Sequence, residues 1–362
     1  MSFSTHHPPV KVLIADDSAF MRAALSRMVE SDDSLCVVGT AQTGLEAIAK
    51  IRTLQPDVVT LDLDMPGLSG LETLKRVMSE SPLPVIIVSS LVREGAEATL
   101  EALELGAFDC IAKQLSYDPG DVIKIQNELV GKIKAAAGPP LLVLRHSMRI
   151  NRPLLHSVPA HRDPAATVPS IIAIATSTGG PKALEEVLST LPADLPAAIL
   201  IVQHMPPGFT GPFAKRLNDL CRLEVRQAEA GDLLKAGHVY LAPPGNHVTV
   251  RRRSSTNVFL QLSALPSNLL HIPSADVMMG SVAEVFGSSA MGIILTGMGD
   301  DGTLGMQAIF RGGGLTLGQD QATCVVYGMP RSCAEMGVLH QVASLPDIPL
   351  HILTALRYRK PH

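Results

Sequence analysis

Three polar side chains in the second half of the chain stand directly after strand-like runs and carry the functional groups of a serine hydrolase. Ser177 and His204 each follow an apolar run, and Asp301 lies in a glycine-rich loop after a third. Because the carboxyl ends of parallel strands share one edge of a sheet, a hydroxyl, an imidazole and a carboxylate are expected to meet there. A serine nucleophile, a histidine base and a carboxylate that orients the base can together transfer an acyl group.

Simpler interpretations exist for each of these residues. Ser177 stands in the sequence STGG and can be a small residue in a close turn or part of a phosphate-binding loop. His204 can be a structural histidine, with His247 as the nearest competing base, and Asp300 or Asp301 can cap a helix. The order Ser–His–Asp and the absence of GxSxG exclude the α/β-hydrolase superfamily without excluding the chemistry.

The first half of the chain places five further polar residues at strand ends. Asp16 and Asp17 end the first apolar run and Asp62 ends the third. Ser89 ends the fourth run and Lys113 follows the fifth. Three converging carboxylates repel one another unless a hard cation such as Mg²⁺ neutralises them, and an ionised aspartate beside that cation can carry a phosphoryl group. Each residue alone can be a turn former or a helix cap, but the five together favour a phosphoryl site.

Two segments of alternating strand and helix patterns position these residues. In the first segment five Val-, Ile- and Leu-rich runs alternate with helical patterns, which predicts a doubly wound parallel sheet covered on both faces. The second segment repeats the alternation around an inserted strand-rich region, residues 238–262. The proline-rich sequence between the segments predicts a semi-stiff linker. We therefore predict an α/β fold with domains at residues 10–128 and 169–358, joined by a linker at residues 129–168.

Composition narrows the class of protein. With 362 residues, 46% hydrophobic and 18% charged, the chain is expected to form globular domains, and its net charge of −4 gives no reason to expect a nucleic-acid partner. The five cysteines include no CxxC pair, which favours a reducing compartment over a disulfide framework or a zinc site. The apolar runs are shorter than the about 20 residues that span a bilayer. We expect a cytoplasmic protein without direct membrane insertion.

The motifs IADDS, TLDLDMPGLSG and VSS, with the late lysine, resemble the receiver domains of response regulators over residues 10–128. The resemblance implies a flavodoxin-like (βα)5 fold with Asp62 as phosphoacceptor and a histidine kinase as phosphodonor. It also implies that Asp17 and Asp62 bind Mg²⁺ directly, that Asp16 helps through water, and that the backbone carbonyl of Asp64 is a further ligand. Ser89 and Lys113 are expected to contact phosphoryl oxygens.

Two positions depart from the receiver pattern. Receiver domains usually have an aromatic residue three positions before the lysine and a proline directly after it. This sequence has Cys110 and Gln114 at those positions. Phosphorylation is still expected, and the departures concern the route by which the signal leaves the pocket.

The motifs STGGP, QHMPPGFT, LAPPGNH, PSADV, ILTGMGDDG and VYGMP occur in order and resemble the catalytic domain of the chemotaxis protein-glutamate methylesterase (CheB) family over about residues 168–357. The resemblance implies Ser177 as nucleophile, His204 as general base and then acid, Asp301 as the residue that orients His204, and the Met298 N–H as oxyanion donor. In this family Asp300 is usually asparagine. We expect its extra charge to raise the pKa values of the carboxylates at the site.

Together the two resemblances imply an enzyme whose receiver domain controls an esterase. The implied reaction is hydrolysis of glutamate methyl esters in chemoreceptors, with deamidation of receptor glutamines, and the esterase step needs no cofactor. Two other function classes compete with this prediction. One is a non-catalytic output module that binds a partner, and DNA is disfavoured as that partner because the second half lacks a helix-turn-helix pattern. The other is a dinucleotide-binding enzyme that uses STGG, although it lacks a ribose-binding signature.

Overall fold

The computed structural model describes residues 8–89, 93–113, 119–138, 167–254 and 257–358. The chain divides into two compact units, Met1–Val143 and Leu144–His362. Gln114 and most of the predicted linker lie outside the described residues, so the domain boundaries at residues 128 and 169 stay predictions.

The first unit is a five-stranded parallel sheet with the strand order β2-β1-β3-β4-β5. This is the predicted doubly wound receiver architecture. Its elements are β1 (Val10–Ala15), α1 (Ala19–Val29), β2 (Leu35–Ala41), α2 (Gly44–Leu54), β3 (Val58–Asp62), α3 (Gly70–Glu80), β4 (Val85–Ser89), α4 (Arg93–Glu104), β5 (Asp109–Ala112) and α5 (Pro119–Ala137).

Local chemistry explains where these elements begin and which strands are central. Every residue of β3 and of β4 is buried, because helices cover both faces of a parallel sheet. Ser18, Thr43 and Ser69 are the N-caps of α1, α2 and α3, and each side chain accepts a backbone N–H of the first turn. Ser69 and Glu72 complete a capping box. The five helix starts lie within two residues of those that the helical patterns of the sequence predict, at Ala19, Gly44, Gly70, Gly95 and about Asp121.

The second unit is built on a seven-stranded parallel sheet with the order β14-β13-β12-β6-β7-β9-β8. Its strands are β6 (Ile171–Thr176), β7 (Ala198–Gln203), β8 (Glu224–Gln227), β9 (His238–Leu241), β12 (Ala290–Ile294), β13 (Leu315–Gln319) and β14 (Gln341–Ala343). An antiparallel hairpin, β10 (His247–Arg252) with β11 (Val258–Ser263), forms a separate two-stranded sheet.

The helices of the second unit are α6 (Gly180–Ser189), α7 (Thr210–Leu220), α8 (Ala275–Phe286), α9 (Thr303–Arg311), α10 (Met329–Glu335) and α11 (Ile348–Ala355). Helical patterns at Lys182–Leu191, near Ala275–Phe286 and after the glycine-rich loop predict α6, α8 and α9. No pattern predicts α7, α10 or α11. Of the strand-rich insertion only the β10–β11 hairpin lies outside the main sheet, because β9 pairs in parallel with β7.

The centre of the second sheet is the part that positions the candidate site. β6 lies between β12 and β7, and all residues of these three strands are buried. Helices α8 and α9 pack closely on one another, since a Cβ added at Gly305 would stand 2.5 Å from Met279 Cβ. No helix in the described part of the chain has the length and apolarity needed to cross a membrane.

The α8–α9 contact gives a test of the packing. Gly305→Ala should lower the free energy of unfolding of this unit by about 1–3 kcal/mol, because Met279 Cβ belongs to a packed helix and must shift. Gly280→Ala in α8 is the matched control, because an added Cβ there meets no atom within 4 Å. The control should stabilise by about 0.5–1 kcal/mol. Calorimetric Tm values report the stability change of each variant. Equal Tm values for Gly305→Ala and Gly280→Ala would contradict the close packing of α8 on α9.

Candidate active site and acidic pocket

Parallel pairing brings Ser177 and His204 to the same sheet edge. Thr176 and Gln203, the last residues of β6 and β7, are register partners, so the next residues along the two chains are neighbours. The His204 amide continues this ladder and donates to the Thr176 carbonyl at 3.1 Å. On the other side of β6, the loop after β12 delivers Asp301 to the same edge.

A hydrogen bond of 2.9 Å joins His204 Nε2 to Asp301 Oδ2. The two side chains are only 9% and 12% exposed, so little water competes for the contact. Because the carboxylate accepts, we place the imidazole proton on Nε2, which leaves Nδ1 with the basic lone pair. His204 Nδ1 is buried and has no hydrogen-bond partner among the described residues.

The Ser177 hydroxyl is not hydrogen-bonded to His204 within the described ranges, so the structure brings together two members of the predicted triad directly and the third by backbone position. Such contacts are often long in enzymes without substrate and tighten when substrate binds. The nucleophile turn itself is short, since the Gly180 amide donates to the Ser177 carbonyl at 2.8 Å. Gly179, with φ of +78°, precedes α6 in a left-handed conformation that favours glycine.

The Asp301 carboxylate is held by the N-terminus of α8. The amides of Ala275 and Asp276 donate to its oxygens at 2.7 and 3.1 Å, and the Ser274 hydroxyl donates at 2.8 Å. Burial alone would raise the pKa of Asp301, but the bond from His204 and the two α8 amides lower it well below its ordinary value. The carboxylate is therefore ionised at neutral pH.

One sequence expectation about this acidic pair is wrong, and one simpler interpretation is excluded. The pKa of Asp301 is lowered, although Asp300 was expected to raise it. Asp300 is exposed, and the largest contributions to the pKa of Asp301 come from burial, His204 and the α8 amides. Neither aspartate caps the helix that follows, because the N-cap of α9 is Gly302 without a side-chain bond.

His247, the competing base, is fully engaged elsewhere. Its ring is buried, Nδ1 accepts the Ser274 amide at 3.0 Å, and Nε2 bonds to the Pro266 carbonyl at 2.9 Å. His247 thus holds Ser274, which in turn holds Asp301. The sequence did not predict this role for Ser274, although a serine before a helical pattern is an N-cap signal.

Gln203 links the nucleophile turn to the base turn. Its Nε2 donates to the Ser177 carbonyl at 3.0 Å and to the His204 carbonyl at 2.9 Å. An added Cβ at Gly180 would stand 1.9 Å from Gln203 Oε1, so only glycine fits beside the amide. Sequence reasoning missed this residue, because a glutamine at the end of a buried strand gives no chemical signal by itself.

The glycine-rich loop lies against Ser177. The Ser177 amide donates to the Thr296 carbonyl at 3.0 Å, and a Cβ added at Gly297 would stand 2.9 Å from Ser177 Cβ. The amides of Gly328 and Met329 fix the loop from behind by donating to the Gly297 carbonyl. The neighbouring Met298 N–H makes no hydrogen bond to the described part of the chain and is available as a donor.

The first unit gathers the predicted acidic residues into one pocket. Carboxylate oxygens of Asp16, Asp17 and Asp62 lie within 4.8 Å of one another. Lys113 Nζ stands 3.0 Å from Asp16 Oδ2 and 2.6 Å from Asp62 Oδ2. Neither of those two oxygens accepts a well-aligned hydrogen bond within the described residues, so both can serve as ligands. This oxygen-only donor set fits Mg²⁺.

The remaining predicted residues line the same rim. The Asp64 amide donates to Asp62 Oδ1 at 3.1 Å, and the Lys113 amide donates to the Ser89 carbonyl at 2.8 Å. The buried Ser89 hydroxyl donates to the Gly95 carbonyl at 3.4 Å, a long bond. Ser18, and not Asp17, caps α1.

The single positive charge of Lys113 does not balance the negative charge of the three aspartates in this pocket. Burial raises the pKa of Asp62, and the Asp16 charge adds to that effect, whereas Lys113 and the Asp64 amide lower it. Burial would lower the pKa of Lys113, but its two carboxylate partners raise it above the ordinary value. An additional cation would therefore stabilise the ionised aspartates.

Comparison with known proteins agrees with this geometry. Residues 172–352 match the CheB methylesterase family and residues 12–124 match the response regulator receiver domain. The chain is 45% identical to protein-glutamate methylesterase/protein-glutamine glutaminase 2 of Nitratidesulfovibrio vulgaris, over 96% of this chain and 99% of that protein. It is also 45% identical to the enzyme of the same description from Halalkalibacterium halodurans, over 93% and 95% of the two chains.

A solved structure is similar to the second unit. The crystal structure of the Thermotoga maritima CheB methylesterase catalytic domain superposes with a TM-score of 0.50 and 38% identity. It covers 52% of this chain and 99% of that domain. The similarity therefore extends to the part of the chain that contains Ser177, His204 and Asp301.

The lowered pKa of Asp301 predicts how acid acts on the second unit. A depressed folded-state pKa contributes stability above the unfolded value of about 3.9, and this contribution is lost as the pH falls from there toward the folded value. Asp301→Asn should therefore have a lower Tm than the unsubstituted chain at pH 5–8, and the gap should narrow below about pH 4.

Asp300→Asn is the control for this experiment, because Asp300 is the exposed neighbour of the same charge. We expect a much smaller Tm change for it across the same pH series. A wild-type to Asp301→Asn gap that stays constant down to pH 3 would contradict the lowered pKa.

Proposed function

The chain belongs to the family of protein-glutamate methylesterases/protein-glutamine glutaminases, in which a receiver domain precedes a CheB methylesterase domain, and on that premise we propose that it demethylates chemoreceptor glutamates during chemotactic adaptation. We propose the same acyl chemistry for deamidation of receptor glutamines. The observation that carries the proposal is the His204–Asp301 hydrogen bond, together with the pairing of β6 with β7 that makes the backbones of Ser177 and His204 neighbours.

In the first step His204 activates the nucleophile. Nδ1 takes the proton of Ser177 Oγ while Oγ attacks the ester carbonyl carbon and forms a tetrahedral oxyanion. The ionised Asp301 stabilises the imidazolium that results and keeps the Nε2 proton in place. The Met298 N–H donates to the oxyanion, an interaction worth about 3 kcal/mol in comparable sites.

In the second step the tetrahedral species collapses. The bond from carbon to the methoxy oxygen breaks, His204 Nδ1 returns the proton to that oxygen, and methanol leaves. Water then attacks the glutamyl-Ser177 ester with His204 as base, which restores the serine and releases the glutamate carboxylate. With a glutamine substrate the leaving group is ammonia.

The Ser177 to His204 contact is expected to form with substrate bound. The two residues follow paired strands, which are about 4.8 Å apart, so the backbone already brings them close. Gln203 supports both turns through their carbonyls, and side-chain rotation of Ser177 is the remaining movement. We propose no metal for this reaction.

The receiver supplies regulation. Asp62 is proposed to accept a phosphoryl group from a histidine kinase, with Mg²⁺ held by Asp16, Asp17, Asp62 and the Asp64 carbonyl. The metal, when bound, neutralises charge on the carboxylates and the phosphoryl oxygens. Lys113 and Ser89 then contact the phosphoryl oxygens, Lys113 by moving from its carboxylate partners. We propose that phosphorylation at Asp62 raises esterase activity.

The cellular setting follows from the same chemistry. All five cysteines are free thiols, as expected in a reducing compartment. We propose that the protein works in the cytoplasm and meets the membrane only through its receptor substrate.

Replacing the nucleophile tests the esterase. Ser177→Ala should lower methanol release from methylated receptor by more than about 10³-fold, because no other hydroxyl is proposed to attack the ester. Ser189→Ala, at the exposed end of α6, is the control and should keep the full rate. A fluorophosphonate probe should label the unsubstituted chain and not the Ser177→Ala chain. Folded Ser177→Ala protein that still releases methanol would remove Ser177 from the mechanism.

Replacing the phosphoacceptor tests the regulation. Acetyl phosphate with Mg²⁺ should stimulate methanol release by the unsubstituted chain, and Asp62→Asn should abolish that stimulation because the attacking carboxylate is gone. Asp33→Asn, an exposed aspartate of the same unit, should remain responsive. Undiminished stimulation of Asp62→Asn would show that phosphorylation, if it acts, acts elsewhere.

A further inference from the structure

A second histidine lies flat against the proposed base. The ring of His271 stacks on the ring of His204, with centroids 4.1 Å apart and planes inclined by 13°. His271 belongs to the segment between β11 and α8, and the proposed reaction assigns it no role. At this distance and inclination the flat faces of the two rings are in van der Waals contact.

The contacts of His204 show why a stacked ring matters. The bond to Asp301 fixes one edge of the imidazole at Nε2, but a single hydrogen bond leaves the ring free to tilt about that contact. Nδ1, which must face Ser177, is not held by a hydrogen bond within the described residues. A ring packed against one face opposes such tilting, because tilting would separate the stacked surfaces.

The segment that carries His271 is itself anchored to the site. The Ile272 carbonyl accepts the Gly245 amide at 3.1 Å, and the Ser274 amide donates to His247 Nδ1 at 3.0 Å. The Ser274 hydroxyl then bonds to Asp301. The segment 271–274 therefore carries the stacking ring of His271 and also hydrogen-bonds the carboxylate that holds His204. This arrangement fixes the positions of the ring and the carboxylate relative to one another.

We propose that His271 is a positioning residue for the catalytic base. Its ring fixes the plane of His204, so that Nδ1 points toward Ser177 in both acyl-transfer steps. This inference rests on the proposed esterase function and assigns His271 no proton transfer. The role requires a flat aromatic ring and not a ring nitrogen.

Two substitutions at His271 distinguish a role of the flat aromatic ring from a role of the ring nitrogens. His271→Phe keeps an aromatic face and should retain kcat for methanol release within about 3-fold. His271→Leu keeps bulk but removes the flat ring, and should lower kcat about 10- to 100-fold with KM changed less than 2-fold, since small misplacements of catalytic groups cost rates of this order. The rate of fluorophosphonate labelling should fall in parallel. His271→Ala serves as a second test should His271→Leu fail to fold.

His238→Leu is the matched control, because His238 is another half-buried histidine of the same unit that stacks on an aromatic ring, that of Tyr240. It should leave kcat unchanged. Equal losses in His271→Phe and His271→Leu would show that a nitrogen is needed and would overturn the proposal. So would full activity of His271→Leu, or a change confined to KM.

The activity of the unsubstituted chain distinguishes failure of the esterase function from failure of the positioning role. If the unsubstituted enzyme releases no methanol and takes up no probe, the esterase function itself fails. If it is active and only the His271 series departs from expectation, the positioning role fails alone.

Discussion

An ionised carboxylate held at the start of a helix is the interaction on which the second unit depends. Asp301 is largely buried, and an isolated charge there would be unstable. Two α8 amides, the Ser274 hydroxyl and His204 Nε2 surround it, and their combined effect keeps its pKa well below the ordinary value. The α8 dipole acts in the same direction. The orientation of the His204 ring therefore depends on the hydrogen bonds by which the N-terminus of α8 holds the Asp301 carboxylate.

In the acidic pocket of the first unit, burial has the opposite net effect on a carboxylate pKa. Asp16 and Asp62 are fully buried, yet an oxygen of each lacks a well-aligned donor among the described residues, and burial raises the pKa of Asp62. Lys113 offsets only part of the charge. The two proposed roles differ accordingly: Asp301, proposed to orient His204, accepts four hydrogen bonds, whereas Asp62, proposed to accept a phosphoryl group, has Lys113 as the neighbour of its Oδ2.

Close approach around Ser177 is the second constraint. The glycine-rich loop reaches the serine because Gly297 has no side chain, and Gln203 reaches both catalytic turns because Gly180 has none. These positions support the turns at Ser177 and His204 through backbone atoms. The two residues are consequently placed by strands and turns that tolerate little change in volume.

The sequence alone determined the alternation of strands and helices, the two α/β units and the candidate residues at the strand ends, because these depend on local periodicity and on the common edge of parallel strands. It did not predict α7, nor α10 and α11, which have only seven and eight residues. Only the tertiary structure placed β12 and β7 on either side of β6, lowered the pKa of Asp301 and gave His247, Ser274, Gln203 and His271 their places. Those contacts join residues far apart in the chain, or involve backbone groups that all residues share, and neither leaves a periodic signal in the sequence.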